Sequence, residues 1–218
     1  MSKLVIVESP AKAKTIQKYL GDGYTVLPTI GHIRELPKKD AIDPNNGYSM
    51  KYIVSPGKED AVKKIKGDAK NAEQVILATD PDREGEAIAW HVADIISNAK
   101  FEKPDIKRAI FYEISEKAVK EAVSSPGEIA MDLVQSQETR RALDRHFGFS
   151  LSPLLWRLFP SNNHSAGRVQ SPALRMIVER EREIEAFIPQ EYWTISAKLE
   201  KDGEYDATVS YTHLTLPT

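Results

Sequence analysis

No cysteine occurs among the 218 residues of the chain. Disulfides and thiolate metal sites are thereby excluded, and the absence fits a reducing cytosol. No stretch approaches the roughly 18 consecutive apolar residues of a membrane-spanning helix. The opening Met-Ser-Lys-Leu-Val-Ile-Val is too short for a secretory h-region. Neither G-x-G-x-x-G nor G-x-x-x-x-G-K-[ST] is present, so dinucleotide and P-loop nucleotide sites lack their fingerprints. Internal repeats and low-complexity tracts are missing too. Acids and bases nearly balance: the net value is −2, which gives no global sign of a polyanionic partner. What remains is an ordinary globular composition, 41% hydrophobic and 28% charged, sufficient for one sizeable core or for one compact domain and part of another.

The first 125 residues read as alternating strands and helices. Leu4-Val5-Ile6-Val7 is a short β-branched run ending at Glu8. Ser9 and Pro10 then supply an N-cap and a first helical position for a helix to about Leu20, and Gly21-Asp22-Gly23 stops it. A strand from Tyr24 to Ile30 ends at Gly31-His32, and a polar loop runs from Arg34 to about Met50. Next come a short strand at Tyr52 to Val54, a helix from Lys58 to about Lys66, and a strand from Gln74 to Thr79. A helix to about Ile96, a strand from Ile106 to Tyr112 and a helix from Ser115 to Val123 complete the series. This alternation predicts an α/β fold with a mostly parallel sheet flanked by helices. Pro126-Gly127 marks a boundary, after which the pattern is helical: Ile129 to about Phe147, Ser152 to Leu158, and Ser171 to about Glu185.

Acids gather after the fourth apolar strand. In Ala78-Thr-Asp-Pro-Asp-Arg-Glu-Gly-Glu86, carboxylates stand at Asp80, Asp82 and Glu84, with Glu86 as a fourth. Unpaired carboxylates so close together raise one another's pKa, and a hard divalent cation relieves that repulsion. Mg²⁺ takes one or two carboxylates directly and keeps water or phosphate oxygens elsewhere. The bland reading is a solvated acidic loop. Glu8 shifts the balance, because ligands of open α/β sheets bind beyond the carboxyl ends of the strands, and Glu8 and Asp80 both occupy such ends. Lys12 lies in the first turn after Ser9, where it could reach a phosphate or simply face solvent. His32, at another strand end, could donate to a phosphate or satisfy a loop carbonyl.

The net charge conceals a basic segment. Between residues 140 and 175 there are six arginines, at 140, 141, 145, 157, 168 and 175, against the single acid Asp144, a local +5. Arg141 and Arg145 are i,i+4 neighbours, and arginine's planar fork suits phosphate. Phe149 and Trp156 supply aromatic surface on which an unpaired base could stack; the alternative is a basic helix with Trp156 in the core. Ser165-Ala166-Gly167-Arg168-Val169-Gln170-Ser171 joins small residues to Arg and Gln at a helix entry, a composition suited to close approach by a nucleic-acid backbone.

Five motifs in this order resemble the bacterial type IA DNA topoisomerases over about residues 2 to 200. They are Leu4-Val-Ile-Val-Glu-Ser-Pro-Ala-Lys-Ala-Lys-Thr-Ile16, Gly31-His-Ile-Arg34, Ala78 through His91, Ser152-Pro-Leu-Leu-Trp156 and Ser165 through Ser171. The resemblance implies a TOPRIM domain over 1–125 and the N-terminal part of a DNA-binding domain over 126–209; the end of the chain departs from the family, and 210–218 read as a non-native tail resembling translated vector or adapter sequence. It implies Mg²⁺ as cofactor, with Glu8, Asp80, Asp82 and Glu84 as its acids and Glu8 and Lys12 in catalytic positions. His32, Arg140, Arg141, Asp144, Phe149 and Trp156 fall at DNA-contacting positions, and Ser165, Ala166, Gly167, Arg168, Val169 and Gln170 match a single-strand-binding segment. The implied partner is a single-stranded segment of negatively supercoiled DNA. The implied setting is a monomer in the cytoplasm, associated with the nucleoid and not with a membrane. The implied reaction is transient cleavage through a 5′-phosphotyrosine, strand passage and resealing, an ATP-independent isomerisation.

Three departures accompany the resemblance. No tyrosine here matches the surroundings of the family's nucleophile, which implies an N-terminal piece of the enzyme, inactive alone. Phe149 stands where the family usually has Tyr, and Pro160 to His164 differ from the usual lead-in to Ser165. The alternative is a stand-alone TOPRIM nuclease or DNA-binding module.

Overall fold

The computed structural model describes residues 3–39, 41–43, 45–159, 164–200 and 204–211. Four parallel strands form its central sheet. β1 (Lys3–Val7) leads into α1 (Pro10–Leu20) and returns as β2 (Tyr24–Pro28). Short antiparallel pairs follow: β3 (Arg34–Glu35) bonds to β6 (Ile53–Val54), enclosing β4 (Ile42–Asp43) on β5 (Ser49–Met50). The expected polar loop from Arg34 to Met50 is therefore partly paired. Two-residue pairings carry no alternating pattern long enough to be read in sequence. α2 (Glu59–Asn71), β7 (Gln74–Leu77), α3 (Arg83–Ser97), β8 (Asp105–Arg108) and α4 (Glu116–Ser124) continue the alternation. The sheet order is β2-β1-β7-β8, with Val5 beside Val26 and Ile76, and Ile76 beside Lys107.

Strand pleating divides the core between two faces. Leu4, Ile6, Val75 and Leu77 pack on one side against Val62 and Ile65 of α2 and Val92 and Ile96 of α3. Val5, Val7 and Ile76 pack on the other against Ala13 and Ile16 of α1 and Val119 and Val123 of α4. After their first residues, Lys3 and Gln74, the two central strands are apolar at every position because both faces are covered. The helices after β1 and β7 thus lie on opposite faces of adjacent strands. That is the topological switch point of an open sheet, and the crevice at its carboxyl edge is where such folds take ligands.

Beyond α4 the structure departs from the sequence reading. Gly127 forms a two-way backbone bridge with Arg108, at 2.8 Å in each direction, so the expected boundary is pinned to the sheet. The two expected helices around 147–152 are one, α5 (Met131–Leu158), which runs through Pro153 and packs against α3. Proline removes one intrahelical hydrogen bond, and the many remaining turns of a 28-residue helix carry it through. The compact unit containing these elements extends to His164. The second unit, from Ser165, holds α6 (Gln170–Glu185) and an antiparallel hairpin of β9 (Trp193–Glu200) and β10 (Glu204–Tyr211). Ser210 and Tyr211, the start of the expected tail, pair with Thr194 and Trp193. Pro160 to Asn163 and residues 212–218 lie outside the described residues.

Candidate metal and nucleic-acid site

Glu8 and Asp80 leave adjacent strands and meet. One carboxylate oxygen of Glu8 accepts from the Asp80 amide at 2.7 Å. Lys12, one turn into the helix capped by Ser9, is ion-paired to Asp80 and stands 3.9 Å from the other Glu8 oxygen. Burial pushes the Glu8 carboxyl above its usual range. The Asp80 amide pulls it back, and the charge of Asp80 raises it further. Two acids share an ammonium, as expected where carboxylates have been brought closer than water alone would allow.

Asp82 and Glu84 are near in sequence and differently employed. Asp82 caps α3, accepting from the Gly85 amide at 2.7 Å, which leaves its second oxygen for another partner. Glu84 pairs with Nε2 of His32 at 2.9 Å, tying the loop after β2 to the start of α3. Among the described residues no three carboxylates or imidazoles stand close enough to encircle a metal ion. The all-oxygen donor set suits a hard cation held through one or two carboxylates with water completing its shell.

Three residues outside the sequence-based assignment shape this loop. Gly85 is required: a Cβ there would lie 2.1 Å from the carbonyl oxygen of Asp80 and 2.8 Å from its amide nitrogen. Arg108, wholly buried on β8, donates to the Asp80 carbonyl at 2.8 Å, to Leu77 at 3.0 Å and to Ala109 at 2.6 Å. Its charge is neutralised by Glu86 at 2.6 Å, so the fourth acid of the run turns inward, away from any solvent-side cation. An arginine within the apolar run Ile106 to Tyr112 is the one sequence signal that hinted at this pair.

Arg34 connects the acidic edge to α5. It donates to Nδ1 of His91 at 3.0 Å, pairs with Asp94, and lies over the rings of Tyr52 and Trp90. Tyr52 in turn donates to Glu138 at 2.5 Å. Burial pushes the Tyr52 phenol far above its usual range and holds the His91 imidazole down at about 3, so both are neutral.

The basic residues are distributed over α5. Arg141 sits over Tyr52 and donates to the Arg34 carbonyl at 3.4 Å; Arg145 donates to the carbonyls of Pro37 and Lys38. Arg140 stands 3.7 Å from Asp144, and Arg145 stacks 4.5 Å over Phe149. Phe149 is 62% exposed and Trp156 46%, so neither belongs to the core. The Trp156 indole donates to the His164 carbonyl at 2.7 Å. In the second unit, Gln170 donates to the Ser165 carbonyl and hydroxyl at 2.6 and 2.8 Å, folding Ser165 through Val169 against the start of α6. Arg168, Val169 and Gln170 are exposed there, Ala166 and Gly167 partly so.

The Toprim domain family matches residues 3–114, and a DNA topoisomerase family matches residues 128–214. DNA topoisomerase 1 of Xylella fastidiosa (strain Temecula1 / ATCC 700964) is 56% identical over 198 residues, covering 89% of this chain and 24% of that protein. DNA topoisomerase 1 of Rickettsia felis is 53% identical over 215 residues, covering 97% of this chain and 28% of its own length. The solved structure of full-length topoisomerase I from Thermotoga maritima superposes with a TM-score of 0.74 at 44% identity, covering 91% of this chain and 33% of that one. The chain thus spans about a quarter of the length of the curated relatives it matches. No helix among the described residues is long and apolar enough to cross a membrane. A Toprim sheet followed by a topoisomerase segment, at more than half identity to DNA topoisomerase 1 sequences, places this chain in the bacterial DNA topoisomerase I family.

Proposed function

We propose that the carboxyl edge of the sheet is the Mg²⁺- and phosphate-binding half of a type IA topoisomerase site. In this reading the chain serves as the N-terminal part of an enzyme that relaxes negatively supercoiled DNA. The observation that carries it is the meeting of Glu8, Asp80 and Lys12 at the switch point: Glu8 accepts from the Asp80 amide, and the Lys12 ammonium pairs with Asp80 and stands 3.9 Å from Glu8, at the end of strands whose own geometry opens a crevice there. Glu8, Asp80, the free oxygen of Asp82, and Glu84 are the candidate ligands. A bound Mg²⁺ would supply positive charge beside a transferring phosphoryl group. Lys12 is placed to exchange Asp80 for a DNA phosphate once a cation compensates the acids. His32 can donate to the same backbone when Glu84 turns to the metal.

DNA is proposed to continue from this edge along α5, over Arg140, Arg141, Asp144, Phe149 and Trp156; Ser165 to Gln170, in the second unit, are proposed separately as a single-strand-binding segment. Support comes from the exposed aromatics Phe149 and Trp156 and the half-buried arginines on one helix beside the acidic edge, the combination used for stacking and holding unpaired bases. The group that attacks phosphorus, a tyrosine forming a 5′-phosphodiester link, is proposed to belong to the part of the enzyme beyond this span. Tyr52 is unsuited to it, since burial and Glu138 keep its phenol protonated. We further propose that the Toprim part ends near residue 125 and that the enzyme acts as a cytoplasmic monomer.

The test uses the 218-residue chain with negatively supercoiled plasmid and Mg²⁺, alongside a fluorescent single-stranded oligonucleotide. Mg²⁺-dependent binding with unchanged plasmid topology is expected. Nicked plasmid would overturn the reading in favour of a Toprim nuclease that cuts with a metal-activated water.

A further inference from the structure

The turn after β2 carries a residue in a conformation that its chemistry disfavours. Ile30 has φ 58° and Gly31 has φ 79°. Left-handed positions in turns are usually filled by glycine or asparagine. A β-branched residue in the left-handed region is a true outlier, because its Cβ and branches crowd the backbone. Such strain persists only where surrounding contacts over-determine it. Here they do. The Thr29 amide donates to the Val7 carbonyl at 2.8 Å, the Gly31 amide to the Glu8 carbonyl at 3.0 Å, and the Lys58 ammonium to the Ile30 carbonyl at 2.6 Å.

Those clamps hold the backbone; they do not bury the side chain. Ile30 remains 54% exposed, although the residues on either side of the turn, Thr29 and Ile33, are fully buried. The core therefore gains little from having isoleucine at this position, and the backbone would be easier to form without it. The turn is also fixed in place at the acidic edge, bonded to Glu8 on one side and carrying His32 to Glu84 on the other.

Resting on the DNA-binding reading above, we propose that Ile30 is a substrate-positioning residue. Its exposed side chain packs against the apolar face of a nucleotide, base and sugar, next to the phosphate held at Glu8, Asp80 and Lys12. The strain is kept because a rigid apolar surface at that edge orients the nucleotide, which the polar residues around it do not do. An apolar contact of this kind discriminates little between bases, which suits a strand held mainly through its backbone.

Two variants separate this role from a structural one, measured by thermal unfolding and by anisotropy of a labelled single-stranded oligonucleotide in Mg²⁺. Ile30→Asn tolerates the left-handed conformation and removes the apolar surface. It is expected to raise Tm by about 3 °C through relief of strain. It is also expected to weaken oligonucleotide binding by about fivefold or more, the loss of roughly one partly buried aliphatic side chain. Ile30→Leu keeps the apolar bulk without β-branching and is expected to bind within about twofold of the parent chain. A gain in Tm with unchanged affinity in Ile30→Asn overturns the proposal. So does a fall in Tm, which would make Ile30 a packing residue, and so does an equal loss of affinity in Ile30→Leu. Failure of the unaltered chain to bind the oligonucleotide is a different result: it removes the DNA-binding reading itself, and this inference with it.

Discussion

Replacing Gly85 by alanine tests whether the acidic loop is built as described. Gly85 is the third residue of α3, and in an ordinary exposed helix Gly→Ala stabilises by about 0.5–1 kcal/mol. Here the sign reverses. The added Cβ would lie 2.1 Å from the Asp80 carbonyl oxygen, where ordinary contact begins at 3.4 Å. About 1 Å of backbone movement is needed, comparable to shifts that cost roughly 1–3 kcal/mol in overpacked cores. Neither side can yield freely. The Asp80 carbonyl is held by Arg108 at 2.8 Å, the Asp80 amide by Glu8 at 2.7 Å, and the Gly85 carbonyl by the Thr79 hydroxyl at 2.7 Å. Losing one charged hydrogen bond adds about 1.5–3 kcal/mol, for a total near 3–5 kcal/mol. In a chain of this size that corresponds to a Tm lower by roughly 10 °C. Circular dichroism melts with and without Mg²⁺ make the measurement, with Gly67→Ala as control. Gly67 lies inside α2 with nothing within 4 Å of its missing Cβ, so alanine there is expected to raise Tm slightly. A Gly85→Ala chain that melts at or above the parent temperature, with the same response to Mg²⁺, would refute the close approach of Asp80.

Glu86→Gln leaves Arg108 buried without its counter-charge and is expected to cost about 3 kcal/mol or more in urea unfolding, against little for an exposed acid such as Glu121. His91 gives a pH signature. Its folded pKa of about 3 lies below the usual 6.5, so the unfolded chain binds the proton first and stability falls as pH drops through that window. From pH 7 to pH 5 the parent is expected to lose about 2 kcal/mol that His91→Gln does not lose; equal losses would remove His91 as the cause. Arg140→Ala and Arg141→Ala should separate in oligonucleotide binding. Arg140 is expected to lower the salt slope by about 0.7, while Arg141, engaged with Tyr52 and the Arg34 carbonyl, is expected to cost stability as well. An unchanged slope in both would take α5 off the DNA path.

Much of the Toprim part was legible because its signals are local. Apolar four-residue runs, the Ser9-Pro10 start of α1 and the glycines at 21 and 23 mark strands and helix ends with chemistry confined to a few neighbouring residues. Alternation of strand and helix then implied a parallel sheet, and the sheet rule put Glu8 and Asp80 each at the carboxyl end of a strand, to meet if those strands were neighbours. α5 was misread as two helices because Gly148 and Pro153 are local breakers, whereas the hydrogen bond that proline removes is a small loss in a 28-residue helix. The pairings β3–β6 and β4–β5 are too short to leave a period, and β9–β10 reaches into residues set aside as a tail.

The sequence by itself determined the fold class, the acidic run and the basic segment, since composition and spacing suffice for each. Only the tertiary structure decided how the acids divide their work. Glu8 and Asp80 meet through Lys12, Asp82 caps a helix, Glu84 holds His32, and Glu86 turns into the core against Arg108. The physical reason is that four acids in nine residues look alike in one dimension. Burial, a helix N-terminus and the partner across the sheet edge give each a different environment, and those exist only once the strands are side by side.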